Sequence, residues 1–211
     1  MCFSATASFV SGTVLSATGG VTIKKAKKSS QIPFAMIPLL FGIQQLIEGV
    51  VWISFGTAWL NTAATIVYSI FSHVLWPIFV PFAVLLLEQN KLRRRILKIL
   101  LTFGIGVGIY LLYFLITKGV TAEIVNNCIA YVSPHFNAEV SMTLYVMASC
   151  FSCFISSHKM VKVFGGALFF SFLVSFQFFS QAFFSVWCFF AAVLSAIIYF
   201  HFKFQEKEKL E

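Results

Sequence analysis

Aspartate is absent from the 211 residues of this chain, and charged residues of any kind are scarce. All seven carboxylate side chains belong to glutamate, and only 10% of the residues are charged, against about 25% in an ordinary soluble domain. The lack of Asp excludes an aspartate dyad, an Asp-containing catalytic triad and a Walker B aspartate. The lack of charge excludes a soluble globular domain and a disordered chain, because neither could stay hydrated.

Apolar and aromatic residues fill the chain instead. Hydrophobic residues make up 59% of the sequence and aromatic residues 18%, with 27 Phe, and the mean hydropathy is +0.91. The five cysteines are not a disulfide framework by their number. This composition predicts an all-α integral membrane protein whose main partner is the lipid bilayer.

Seven apolar stretches are each about 20 residues long, which is the length that a helix needs to cross a bilayer. We therefore predict one seven-helix transmembrane domain over residues 1–204, followed by a short charged tail over 205–211. Pro77 and Pro81 are expected to kink the third helix. The predicted spans run over 5–23, 33–55, 63–87, 95–117, 140–158, 160–180 and 182–204.

The basic residues give the predicted orientation. Fourteen of the 15 Lys and Arg lie in the segments that follow spans one, three, five and seven, and only Lys118 lies on the other side. The positive-inside rule then places the N-terminus outside, the C-terminus in the cytoplasm and the longest loop, 118–139, outside. Positive charge follows the first span instead of preceding it, so we expect an uncleaved first helix. The net charge of +8 is thus explained by membrane loops, and no nucleic-acid partner is expected.

Glu48 is the only charged residue well inside a predicted span, and it shares a helix face with Gln44 and Gln45. A charge at this depth costs about 3 kcal/mol on insertion scales, so such a residue usually faces the interior of a helix bundle and serves a site. The alternative is a hydrogen-bonded glutamate that only fastens the second helix to a neighbour. Both interpretations stay open at this point.

Other polar residues are predicted to lie in the same outer half of the membrane. His73 in the third span and Cys188 in the seventh lie roughly 15 Å and 9 Å deep, by the 1.5 Å rise of a helix, and Glu48 lies roughly 10 Å deep. Cys2 and Ser4 begin the first helix at the outer surface, where Ser4 is a candidate N-cap. The seventh span also carries a stripe of small and polar residues, namely Gln181, Ser185, Cys188, Ala192, Ser195 and Tyr199.

The cysteines and His73 allow further interpretations. Cys2, His73, Glu48 and Cys188 have ligand types that suit zinc or copper, although their spacing adds no independent signal. Cys2 and Cys188 could instead pair as a disulfide near the outer face. Cys150 and Cys153 form a C-x-x-C string inside a predicted span, which we interpret as helix packing.

The opening Met1-Cys2-Phe3-Ser4-Ala5-Thr6-Ala7-Ser8-Phe9 resembles the start of a family of bacterial multi-pass membrane proteins of unknown function. Segments around Pro38–Gly49, Trp76-Pro77 and Ser185-Val186-Trp187-Cys188 fit the same family. The resemblance covers essentially the whole chain and implies a location in the bacterial inner membrane. It brings no known activity, but it adds Trp187 to the segments of interest.

Three functions remain as expectations. The first is a membrane protein that binds or transports a small solute or ion at an outward-facing polar site formed by Glu48, Gln44, Gln45, His73, Ser4, Ser185 and Trp187. The second is a membrane-embedded enzyme that uses Cys2, His73, Glu48 and Cys188, with or without a transition metal such as zinc or copper held by them. The third is a structural or assembly subunit whose polar residues lock helices together.

Overall fold

In the computed structural model, which describes residues 4–133 and 138–207, the chain is mostly helical. Seven helical segments occur within these described residues, and each overlaps one of the seven predicted stretches with ends that differ by a few residues. They are α1 (Ala5–Lys25), α2 (Ser29–Ile53), α3 (Ala58–Leu87), α4 (Lys91–Lys118), α5 (138–155), α6 (Lys159–Phe178) and α7 (180–207).

Four of the segments change helix type along their length. The π turn of α3 comes directly before Trp76-Pro77, where proline has no N–H to donate and its ring crowds the preceding turn. This is the place where a kink was predicted. The component bounds are Ser29–Gln31, Ile32–Ala35 and Ile37–Ile53 in α2; Ala58–Ser69, π-helical Ile70–Leu75 and Trp76–Leu87 in α3; Ala138–Val146, π-helical Met147–Phe151 and Ser152–Ile155 in α5; and Ser180–Ala182, Phe183–Leu194 and Ala196–Lys207 in α7.

Five of the described helices are long and apolar enough to cross a membrane, namely α2, α3, α4, α6 and α7. The apolar part of α5, Val140–Ile155, is shorter. Helix α1 has 21 residues but is rich in Ser and Thr, which lower its hydropathy. The helices are therefore compatible with a membrane protein, and the crossing of a membrane by all seven remains a prediction.

Helices α1 and α2 pack closely because small residues meet at their interface. A Cβ atom added at Gly12 would lie 2.8 Å from the Leu46 side chain, and one added at Gly42 would lie 2.6 Å from the backbone nitrogen of Ser16. Small residues let helix backbones approach each other in membranes. This contact fixes how α2 packs against α1.

The segment that we expected to be the longest loop contains a two-stranded antiparallel hairpin, β1 (Thr121–Val125) and β2 (Cys128–Val132). Its turn is formed by Asn126 and Asn127, whose φ angles are 50° and 57°. Consecutive positive φ angles match the right-handed twist of a hairpin, and Asn tolerates them better than most residues. Residues 128–131 of β2 are buried, so the hairpin packs down onto the helices.

At the other end of the bundle, the α3–α4 and α5–α6 connections are joined through Glu88. Its carboxylate accepts hydrogen bonds from the Ser157 backbone nitrogen at 2.6 Å and from the Ser157 hydroxyl at 2.8 Å. It also accepts from the backbone nitrogens of Gln89 and Asn90 at 3.0 and 2.9 Å. Glu88 therefore fixes two connections that are distant in sequence.

Candidate functional site

Glu48 lies in α2 with none of its surface exposed to solvent, and Gln44 and Gln45 are equally buried. Residues three and four apart share a helix face, so one turn of α2 presents three polar side chains to the interior. Burying polar groups is costly unless they find hydrogen-bond partners. The structure supplies these partners from other elements of the fold.

The Glu48 carboxylate accepts two hydrogen bonds. The Ser185 hydroxyl of α7 donates to Oε1 at 2.6 Å, and the Gln45 amide donates to Oε2 at 3.2 Å. The Gln45 side-chain oxygen in turn accepts from the Ser11 hydroxyl of α1 at 3.5 Å. The polar network therefore connects α1, α2 and α7.

Two tyrosines that we did not predict complete the surroundings of Glu48. Tyr68 of α3 and Tyr131 of β2 stack with ring centroids 4.2 Å apart and an interplanar angle of 9°. Both hydroxyls lie close enough to interact with the Glu48 carboxylate. The Tyr68 hydroxyl also donates to the Phe184 carbonyl at 3.5 Å, whereas the Tyr131 hydroxyl forms no hydrogen bond with any residue that the structure describes.

The groups that act most strongly on Glu48 are hydroxyls and an amide, and all of them are neutral. Tyr131 belongs to the hairpin, outside the candidate spans, and burial is the main reason that its pKa lies well above the usual value, with the nearby Glu48 charge adding to the shift. Tyr131 thus keeps its proton over the physiological range and remains a neutral hydroxyl beside Glu48.

Gln44 and Cys188 extend the site toward the middle of the bundle. The Trp76 indole donates to the Gln44 side-chain oxygen at 2.6 Å, while the buried Gln44 amide nitrogen has no hydrogen-bond partner within the described part of the chain. The Cys188 thiol interacts with Gln44 and Tyr68. Because Cys188 is a free thiol, the predicted alternative of a Cys2–Cys188 disulfide is wrong.

His73 lies on the π turn of α3. Its Nδ1 is 2.8 Å from the Ser72 hydroxyl, and its ring stacks on Phe184 with centroids 4.0 Å apart. Phe184 immediately precedes Ser185, the hydrogen-bond partner of Glu48. The structure therefore places His73 and Glu48 against adjacent residues of α7.

Ser4 and Trp187 are placed away from Glu48. Ser4 is exposed and caps α1, accepting from the Ala7 backbone nitrogen at 3.3 Å, as predicted for an N-cap. Trp187 is buried and donates to the Leu168 carbonyl of α6 at 3.3 Å, so its indole faces α6. These two of the seven predicted binding residues therefore make their contacts away from Glu48.

The predicted metal set is not assembled in the part of the chain that the structure describes. No group of three or more His, Cys, Asp or Glu side chains able to hold a metal ion occurs there. Glu48 and Cys188 interact, but His73 contacts Ser72 and Phe184. Cys2, the fourth predicted ligand, lies outside the described residues.

A small cavity of about 20 Å³ lies next to the site. Its wall is mostly aromatic and aliphatic. Cys188 lines the cavity and also interacts with the polar residues around Glu48. The other main lining residues are Phe41, Trp76, Tyr145, Phe164 and Trp187. This volume is about that of one water-sized molecule. Glu48 itself is fully buried, so the polar site that we expected to face outward is closed in this structure.

The fold and this site together define a helical, strongly apolar protein with a buried carboxylate at its centre. The chain belongs to a family of unknown function, DUF6629, whose model matches residues 1–210. This finding agrees with the resemblance to an uncharacterised family. No curated protein and no solved structure matches the chain.

Proposed function

We propose that the protein is a seven-helix protein of the bacterial inner membrane that binds a proton at Glu48 while it transports a small solute or ion. One observation carries the proposal, namely that the Glu48 carboxylate is fully buried among neutral groups: it accepts hydrogen bonds from Ser185 and Gln45, and the hydroxyls of Tyr68 and Tyr131 lie near it. Ionisable residues inside membrane spans commonly mark ion pathways and proton relays.

The chemistry of the site favours a proton or a cation as the bound species. An isolated ionised carboxylate is costly to bury, and hydroxyl and amide donors offset only part of this cost. Binding of a proton or a small cation removes the uncompensated charge, whereas an anion would add to it. We therefore expect that the transported partner is neutral or positively charged.

One neighbour of Glu48 belongs to the β1–β2 hairpin and not to a helix. The Tyr68–Tyr131 stack lies beside Glu48, and Tyr131 belongs to a hairpin instead of a long helix. We expect that a shift of β2 would move Tyr131 away from the carboxylate without breaking a helix. On the helix side, the π turn of α3 next to the site is of a kind that occurs often at functional sites.

The proposed orientation has support from two independent features. The distribution of Lys and Arg places the α4–α5 connection outside. Cys128, which lies in this connection, is disulfide-bonded, and disulfides persist in oxidising compartments. The hairpin is thus expected on the outer, periplasmic side of the membrane, together with the N-terminus.

Infrared difference spectroscopy tests the proton site. The protein in lipid bilayers would be cycled between pH 5 and pH 9, and spectra of the wild type would be compared with those of Glu48→Gln. We expect that the wild type exchanges a carboxylic acid band for a carboxylate band, and that Glu48→Gln lacks this pair of bands. The matched control is Glu123→Gln, because Glu123 is exposed on β1 and should leave the pair unchanged.

Proton movement is the second measurement. Vesicles containing the protein and an internal pH dye would receive a potassium gradient with valinomycin, and proton entry would be followed with and without pools of neutral and cationic solutes. We expect entry that a solute stimulates in the wild type and in Glu123→Gln, but not in Glu48→Gln. A Glu48 band that does not respond to pH, together with equal proton entry in all three proteins, would leave Glu48 as a structural link between α2 and α7.

A further inference from the structure

Cys128 is the first residue of β2, directly after the Asn126-Asn127 turn, and it pairs with Val125 in the hairpin register. Its side chain is 2% exposed and packs with Ala182 and Val186 at the start of α7. Cys128 is disulfide-bonded. The hairpin is therefore covalently attached to another part of the chain.

The other cysteines restrict the choice of partner. The chain has five cysteines. Three of them, Cys150, Cys153 and Cys188, are free thiols buried in α5 and α7. We infer that the partner of Cys128 is Cys2, so that a disulfide ties the N-terminal segment to the hairpin. Cys2 lies outside the described residues, and the assignment rests on Cys128 and on the number of cysteines.

This cross-link joins two elements next to the buried site. Ser4, the cap of α1, is two residues from Cys2, and a chain of two residues reaches at most about 7 Å. The start of α1 and the turn of the hairpin must then lie at the same end of the bundle. The same strand carries Tyr131, so the disulfide holds the strand that places this tyrosine beside Glu48. The inference does not depend on what Glu48 binds.

The chemistry requires an oxidant on the outer side of the membrane. The two thiols lose two protons and two electrons as the S–S bond forms. A disulfide-carrying oxidoreductase of the outer compartment accepts the electrons by thiol–disulfide exchange, and its own disulfide is reduced to two thiols. The cross-link therefore also requires that Cys2 and Cys128 both face that compartment.

Counting free thiols by mass spectrometry tests the pairing. The full-length protein would be denatured without a reductant in the presence of N-ethylmaleimide, and its intact mass would be measured. We expect three adducts in the wild type and five after reduction. Cys2→Ser and Cys128→Ser should each give four adducts without reduction, because each change frees the remaining partner. Digestion of the unreduced wild type should yield a peptide pair that joins Cys2 to Cys128.

Cys150→Ser is the matched control, and it should give two adducts because it removes one free thiol and leaves the disulfide intact. Five adducts in the unreduced wild type would overturn the inference. So would a linked peptide that contains Cys128 with any cysteine other than Cys2, including a second copy of Cys128. Two adducts in Cys2→Ser would also contradict it, since Cys128 would then still be paired with another cysteine of the chain.

Discussion

The hydroxyl of Ser185 lies 2.6 Å from Oε1 of Glu48, although the two residues are 137 positions apart in the chain. Ser185 is in the last helix and Glu48 in the second, and both side chains are essentially inaccessible to solvent. This contact joins an early and a late part of the bundle through a fully buried carboxylate.

Replacing Ser185 with Ala should destabilise the protein by about 1 kcal/mol, within the range measured for hydrogen bonds between membrane helices. The loss arises because Glu48 then keeps one hydrogen-bond donor fewer in a buried position. Unfolding in mixed micelles with increasing denaturing detergent would measure the change in free energy.

The matched control is Ser175→Ala in α6. Ser175 is as buried as Ser185, but its hydroxyl has no hydrogen-bond partner among the described residues. We expect that its removal has little effect. In the background of Glu48→Gln, Ser185→Ala should cost less than it does in the wild type. Equal costs of Ser185→Ala in both backgrounds would show that the two side chains do not stabilise each other.

Two glycines of α4 should respond oppositely to the same substitution. A Cβ at Gly104 would collide with the backbone carbonyl oxygen of Pro77, whereas nothing lies within 4 Å of a Cβ at Gly106. Gly104→Ala should therefore destabilise by about 1–3 kcal/mol, as expected of overpacking. Gly106→Ala should be neutral or stabilising by up to about 1 kcal/mol, because Ala favours a helix more than Gly does. Thermal unfolding of the two variants side by side would measure the difference. A higher stability of Gly104→Ala would show that α3 and α4 do not approach as closely at Gly104 as the structure has them.

The positions of the helices could be predicted from the sequence because each apolar run is long and is bounded by charged or turn residues. Glu48, Gln44 and Gln45 could be placed on one face for a similar reason, since helical spacing alone brings them together. These predictions depend on local pattern, and the structure agrees with them.

The tyrosines could not be predicted in the same way. Tyr68 lies on a helix among apolar residues, and Tyr131 lies in a segment that we expected to be a loop. Their meeting at Glu48 depends on how the hairpin folds back onto α3, which is a tertiary contact between residues far apart in sequence. The Asn126-Asn127 pair was the available signal for the hairpin, because adjacent Asn residues favour such turns. Recognising it would have shown that Tyr131 lies on a strand.

The proposed topology predicts opposite behaviour of two reporter fusions. A reporter enzyme that is active only outside the inner membrane should be silent after Glu211 and active when inserted at the Asn126-Asn127 turn. The reason is that fourteen of the 15 basic residues lie on the predicted cytoplasmic side. A reporter that fluoresces only in the cytoplasm should give the reverse pattern. Outside activity after Glu211 would mean that one of the seven helices does not cross, and α1 and α5 are the two to examine first.

Glu88 should make the protein sensitive to acid. Burial alone would raise the pKa of Glu88, but four hydrogen bonds from Asn90, Ser157 and Gln89 outweigh it and hold the pKa below its ordinary value of 4.5. A carboxylate with a lowered pKa in the folded state stabilises that state above the unfolded-state pKa. This stabilisation is lost as the pH falls through the folded-state value. The loss is therefore expected below about pH 4.5.

Glu88→Gln should lower the stability at pH 7 by about 1.5–3 kcal/mol, as expected for hydrogen bonds to a charged group. It should also flatten the fall in stability between pH 6 and pH 3, because the variant has no carboxylate to protonate at this position. Thermal unfolding across this pH range would measure both effects. Glu123→Gln provides the comparison, since Glu123 is exposed and its replacement should change the stability by no more than about 0.5 kcal/mol. If Glu88→Gln showed the same stability at pH 7 and the same acid profile as the wild type, Glu88 would not be the group that holds the α3–α4 and α5–α6 connections together.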